Sequence, residues 1–114
     1  MGIDFSKCNK FLFSVSFQDC HLDYSSFFQM KMKKTNFIDC SIKEVDFAGT
    51  DLSMAIFKNC DLLHTTFMRS NLEKTDFRSA FNYSFDPEVN KIKKAKFSVE
   101  GLPGLLSKYN IDIE

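Results

Sequence analysis

The sequence predicts an all-β fold assembled from short, regular repeats. A large apolar residue returns at every fifth position from Phe17 to Phe77, through Leu22, Phe27, Met32, Phe37, Ile42, Phe47, Leu52, Phe57, Leu62, Phe67 and Leu72. Every second member of that series is phenylalanine. Two residues before each sits a second selected set, nearly all small, including Cys20, Ser25, Thr35, Cys40, Thr50, Ala55, Cys60, Thr65, Ser70 and Thr75. A five-residue spacing fits neither the 3, 4, 7 pattern of one helix face nor the simple alternation of a flat strand.

Composition narrows the function classes before any motif is read. The chain has 114 residues, enough for one small domain, with 15 basic and 15 acidic side chains and no net charge. No global electrostatic attraction to nucleic acid or membrane follows from that balance. Apolar runs are only a few residues long, too short to cross a bilayer, and the N-terminal residues lack the order of a signal peptide. A cytoplasmic protein is expected. Fourteen Phe and no Trp suit dry, stacked positions, because the Phe ring carries no polar atom to satisfy.

Between the small and large sets lie mostly polar residues, among them Asn36, Asp46, Asp51, Asp61, Asn71 and Asp76. Each unit therefore reads small, polar, large, then two outward residues. The segments "VDFAG", "TDLSM", "CDLLH", "SNLEK" and "TDFRS" resemble the pentapeptide-repeat family, whose motif is Ala-(Asp/Asn)-Leu-x-x with Phe allowed for Leu. The resemblance covers about residues 15–80. It implies a right-handed quadrilateral β-helix, a pentapeptide-repeat solenoid with one pentapeptide per side and 20 residues per coil.

The physical reading agrees. Coils stack at roughly 4.8 Å through backbone hydrogen bonds. A period of 20 then piles Phe17 on Phe37, Phe57 and Phe77, and Phe27 on Phe47 and Phe67. Leu22, Ile42 and Leu62 form one aliphatic column, and Met32, Leu52 and Leu72 the other. Rings on two sides and branched chains on the other two fill the tube, as dense packing requires.

The ends are read from breaks in the register. Phe5 is out of step with Leu12, so an irregular first coil is expected over about residues 1–14, and the Met-Gly opening suggests a portion of a longer protein. Ile92 and Phe97 lie 20 after Leu72 and Phe77, so "NKIKK" and "AKFSV" are expected as the last two sides of a final coil. The preceding sides, "AFNYS" and "FDPEV", carry Asn82 and Pro87 where large residues belong. They predict a distorted coil over about 80–97, with Asp86-Pro87 as a turn. The β-helix should thus span 1–99, about five coils and roughly 25 Å long.

Residues 100–114 leave the repeat. Leu102, Leu105, Leu106 and Tyr109 fall on one face of a short α-helix, with Pro103 in its first turn and Asn110 ending it in a left-handed conformation. Ile111 and Ile113 alternate with Asp112 and Glu114 as in a terminal strand. This segment is either a cap on the last coil or a homodimer interface, since an unpaired strand invites a twin. The resemblance favours the second, because several gyrase-interacting family members dimerise through such elements.

No catalytic chemistry is predicted. Cys20, Cys40 and Cys60 form a ladder at the small inward position, without a CxxC pair or ligand-spaced His, so Cys8 and these three read as reduced thiols rather than a metal or redox site. His21 and His64 fall in different outward columns. The recurring acids belong to the repeat and are not paired acid–base carboxylates. The sequence carries no nucleotide or hydrolase fingerprint. No enzyme, metal or cofactor is expected.

Two features point to binding. One side carries Lys31, Lys33, Lys34, Lys74, Lys91, Lys93 and Lys94 against Asp51 and Glu73, a net charge of +5. Outward apolar residues form two further columns: Phe28, Ala48 and Met68 on one mildly acidic side, Leu63 and Tyr83 on the next. Such stripes mark contact surfaces. The leading expectation is a protein–protein interaction scaffold that forms a homodimer. The alternative, implied by resemblance to Qnr-type and microcin-immunity members, is a DNA-mimicking partner of a type II topoisomerase such as gyrase, giving quinolone-type protection. The neutral charge and lysine-rich side depart from that pattern. Nucleic-acid binding by the lysine face ranks third, because that face lacks interleaved aromatics.

Overall fold

The structure is a computed structural model that describes residues 16–114. The expected irregular first coil, with Cys8, lies outside the described residues. The fold is a parallel β-helix. Three short strands, β1 (Ser16–Gln18), β2 (Asn36–Ile38) and β3 (Ile56–Lys58), pair in parallel in the order β1-β2-β3, with Phe17 opposite Phe37 and Phe37 opposite Phe57. Single parallel bridges at the same interval of 20 residues join the other sides: His21 to Ser41, Ser26 to Asp46 and Lys31 to Asp51, each continuing into later turns.

Each corner has a local cause. On most sides the N–H three residues after the large residue donates back to its carbonyl, as Thr50 does to Phe47 at 3.1 Å and Ala55 to Leu52 at 2.9 Å. The residue between, two after the large one, is left-handed: Glu44, Met54, His64, Arg69 and Lys74 all have φ between 53° and 59°. A reversal with positive φ at its third residue is the type II pattern. Among the described residues glycine occupies such a corner only at position 49, with φ 67°.

The second repeat position completes the corner. The side chains of Asp46, Asp51, Asp61, Asn71 and Asp76 accept the N–H two residues on, at 2.8–3.1 Å. Asp and Asn recur there because a short carboxylate or amide can close this local ring.

Inside, Phe27, Phe37, Phe47, Phe57, Phe77, Ile42, Leu52, Leu62 and Leu72 are fully buried, and Leu22, Met32 and Phe67 are buried. Rings 20 apart stack nearly parallel, Phe37 on Phe57 at 4.7 Å and 2°. Rings ten apart meet edge to face, Phe47 and Phe57 at 5.9 Å and 76°. Phe17, Ile92 and Phe97 are partly buried at the ends of the same core.

The small inward residues do more than leave room. The hydroxyls of Thr50, Ser70 and Thr75 each donate 2.7 Å to the carbonyl 23 residues earlier, and Thr65 donates to Ile42 in the same way. Cys40 and Cys60 make the weaker thiol version to Phe17 and Phe37 at 3.3 Å. Each turn of the helix is thereby bonded to the one before it from inside the wall.

The last turn departs from the repeat. Asn82 takes the left-handed conformation, φ 62°, at the position where a large residue would point inward. The chain reverses two residues early, and Tyr83 and Phe85 fill the interior instead, each buried. Their rings lie 5.5 Å from Phe77 and 5.2 Å from Phe67. Tyr83 is therefore a correction: it belongs to the core and not to an outward column with Leu63. Asp86 caps a turn of 3-10 helix, Pro87–Val89, by accepting from Glu88.

Residues after the repeat also correct the expectation of an α-helix and strand. Ser98 caps a 3-10 helix, Val99–Leu105, and a second, Ser107–Tyr109, ends at left-handed Asn110. Gly101, Pro103 and Gly104 are poor α-helix formers, and the tighter turn suits their close packing. Among residues 110–114 there is no strand. Leu105 is buried, whereas Leu102, Leu106, Tyr109, Ile111 and Ile113 are exposed.

Candidate interaction surfaces

The exposed column begins at Phe28 and runs through half-buried Ala48 to Met68, with Phe28 43% and Met68 51% exposed. Backbone bonds hold these residues in register. Gln29 N–H donates to Ala48 O and Gly49 N–H to Met68 O, both at 2.9 Å, and Arg69 N–H reaches Val89 O at 2.8 Å. Val89, 42% exposed, thus extends the column by one more step. The sequence register did not find it, because the distorted last turn shifts Val89 one place past the regular position. Beside the column runs an open groove of about 530 Å³, whose walls include Gly49, Asp51, Arg69, Asn71, Glu88 and Lys91. Leu63 is exposed on the next side, where Phe81 rather than Tyr83 supplies the second apolar residue.

All seven lysines of the basic face, Lys31, Lys33, Lys34, Lys74, Lys91, Lys93 and Lys94, are exposed. They do not form one continuous stripe. The column that starts at Lys31 passes through Asp51 and Asn71 before Lys91, so positive charge gathers toward both ends with an acidic and polar belt between.

The end surface is held by a polar clasp. Lys108 bridges Asp86 at 3.1 Å and pairs with Glu88, so its ammonium is held protonated well above the usual lysine range. The Phe85 N–H donates to Gly104 O at 3.0 Å, and the Ser84 and Ser107 hydroxyls share a hydrogen bond of 2.6 Å. These contacts lay the 3-10 segment over residues 83–88, with Leu105 buried beneath it and Leu102, Leu106 and Tyr109 left exposed.

Among the described residues no group of three or more His, Cys, Asp or Glu is arranged to hold a metal ion, and His21 and His64 are exposed. Burial pushes the Cys60 thiol up to about 12 and raises that of Cys40. A raised thiol favours the protonated, folded form, so its contribution is intact below an unfolded value of about 8.5 and is lost as pH rises from there toward about 12. Two results are expected. Native protein at pH 8 should leave Cys60 unlabelled by a thiol reagent until denaturant is added. The drop in urea midpoint between pH 8 and pH 10 should be smaller in Cys60→Ala than in the parent chain; equal drops would show that the thiol is not protected by burial.

No helix among the described residues is long and apolar enough to cross a membrane. A comparison with curated proteins finds no match. Among solved structures, the chain is similar to HetL, a pentapeptide repeat protein involved in heterocyst differentiation regulation in the cyanobacterium Nostoc sp. strain PCC 7120, with a TM-score of 0.70 and 15% identity. That alignment covers 79% of this chain and 45% of HetL, so the chain spans less than half of HetL's length. Rfr23, from the cyanobacterium Cyanothece 51142, aligns over 75% of this chain and 62% of its own at 14% identity and a TM-score of 0.35. QnrB1, a plasmid-mediated fluoroquinolone resistance protein, aligns over 87% and 70% at 16% identity and a TM-score of 0.28. At these identities the likeness to HetL speaks to fold alone, and the other two scores carry no argument. The profile of the pentapeptide repeat region matches residues 2–77, more than half of the sequence, and with the 20-residue pairing it establishes that this chain belongs to the pentapeptide-repeat family.

Proposed function

We propose that this chain is a non-catalytic protein–protein interaction scaffold: a right-handed, four-sided coil that binds a protein partner along one side and pairs with a second copy at its C-terminal end. The exposed apolar column of Phe28, Ala48 and Met68, extended by Val89, carries the first part. Its members are pinned in register by the backbone ladder, so a partner meets a rigid row and loses little conformational entropy in the scaffold on binding. Exposed Leu102, Leu106, Tyr109, Ile111 and Ile113, gathered in one short segment, support the second part.

The partner surface is tested by retention of native proteins on the immobilised chain and on the double variant Phe28→Asp, Met68→Asp. Both positions are exposed, so stability should change by no more than about 0.5 kcal/mol, while retention should be lost. Partners retained equally by both chains would place the binding surface elsewhere. Pairing is tested by light scattering at tens of micromolar, where a mass of twice 13.2 kDa is expected and a monomer would remove the claim.

A further inference from the structure

The final turn ends in an incomplete hydrogen-bond ladder. On most sides of the earlier turns the large residue and the residue two beyond it donate to the next turn, as Leu72 does to Lys91 O and Lys74 to Lys93 O. Ile92, Lys94 and Phe97 are the corresponding donors of the last turn, and among the described residues their N–H groups make no hydrogen bond. The carbonyls of Asn90 and Ala95, equivalent to the acceptors Ser70 O and Thr75 O, are likewise unused. The 3-10 segment makes its hydrogen bonds and ion pairs to residues 84–88 and packs its glycines on Tyr83, so the ladder groups of residues 90–97 form an open edge.

We infer that this open edge is a strand-binding site whose occupant is residues 110–114 of a second copy of the chain. The inference rests on the dimer reading above and specifies its chemistry. An unpaired ladder with ordered donors and acceptors takes an extended segment as an added strand. Residues 110–114 are exposed, carry no regular structure, and alternate Ile111 and Ile113 with Asp112 and Glu114. The edge is strongly basic: Lys91, Lys93, Lys94 and Lys96 are all exposed on it. Acidic residues of the incoming strand thus meet lysines, and its isoleucines add to the half-buried Ile92 and Phe97. Each copy holds one open half and one covered half with an outward apolar segment, so a two-fold axis pairs open with covered twice and leaves neither unsatisfied.

The test combines sedimentation velocity with amide hydrogen exchange on the full chain, at tens of micromolar and at a tenfold dilution. Variants Ile111→Asp with Ile113→Asp, and Asp112→Lys with Glu114→Lys, are compared with the parent. The parent should sediment as a dimer with the Ile92, Lys94 and Phe97 amides slowed at least ~10-fold relative to either variant. Both variants should become monomers while the interior Leu62 amide stays protected, which shows that the coil is still folded. A dimer that survives both double variants overturns the strand exchange but leaves the dimer reading standing. Slow exchange of Ile92 and Lys94 in the diluted monomer assigns the strand to its own chain and overturns it too. A parent that is monomeric throughout removes both.

Discussion

Replacing Phe57 by alanine should lower the unfolding free energy by about 3–5 kcal/mol, the range for removing a fully buried ring. Phe57 is chosen because every direction around it is filled. It stacks on Phe37 at 4.7 Å and on Phe77 at 5.2 Å, and meets Phe47 and Phe67 edge-on at 5.9 and 6.2 Å. The stacked neighbours are held by their own turns of backbone and cannot close over the gap, so the cavity persists. Leucine at the same position keeps much of the volume and should cost clearly less. Phe28→Ala, which removes an exposed ring from the same type of wall, should stay within about 0.5 kcal/mol. Urea unfolding followed by circular dichroism ranks the three, and an alanine at 57 no more costly than one at 28 would mean the ring is not inside.

Gly104→Ala should dislodge the 3-10 segment from the end of the coil. A Cβ at this position would lie 2.1 Å from the Tyr83 carbonyl oxygen and 3.1 Å from its carbon, which are backbone atoms with little freedom to move. At Gly101 the Cβ would lie 1.8 Å from the Tyr83 hydroxyl, with the ring itself buried beneath the segment. Overpacking in a dense core costs typically about 1–3 kcal/mol, and here lifting the segment also gives up the Phe85–Gly104 hydrogen bond and the Lys108 clasp. Because a solenoid is stabilised turn by turn, the damage should stay local. The Phe85 amide should lose its exchange protection, while Leu62, bonded to Phe81 O at 2.9 Å, keeps its own. An unchanged Phe85 amide in the alanine variant would contradict the close packing.

The periodic part of the fold was legible because one large residue per five is a demand of geometry, and geometry repeats. What the sequence hid were features that depend on atoms rather than spacing. The acids at the second position were read only as part of the repeat, yet Asp46 and its equivalents accept a backbone N–H two residues on and close each corner. That signal was available in the preference of Asp and Asn for such turns. The spacing of the small inward residues likewise gave no sign that Thr50, Ser70 and Thr75 donate to the preceding turn.

The last turn was misread for the opposite reason. Counting by five put Tyr83 outside, and nothing in the count could say that Asn82 would reverse the chain early and send the tyrosine in. The helical face over Leu102, Leu105, Leu106 and Tyr109 was a real periodicity, but two glycines and a proline in the same stretch turned it into a tighter helix. The interaction surfaces were only half visible: the Phe28 column follows from the register, whereas Val89 and the open edge at Ile92 and Lys94 exist only once the final turn is built.

The central claim is that residues 20 apart in sequence are neighbours across one stacked interior. Ring-to-ring nuclear Overhauser effects in protein with labelled phenylalanine test it most directly. Strong effects are predicted between Phe37 and Phe57 and between Phe57 and Phe77, whose ring centres lie 4.7 and 5.2 Å apart. Their absence, or a Phe57 ring whose protons contact bulk water, would contradict the account.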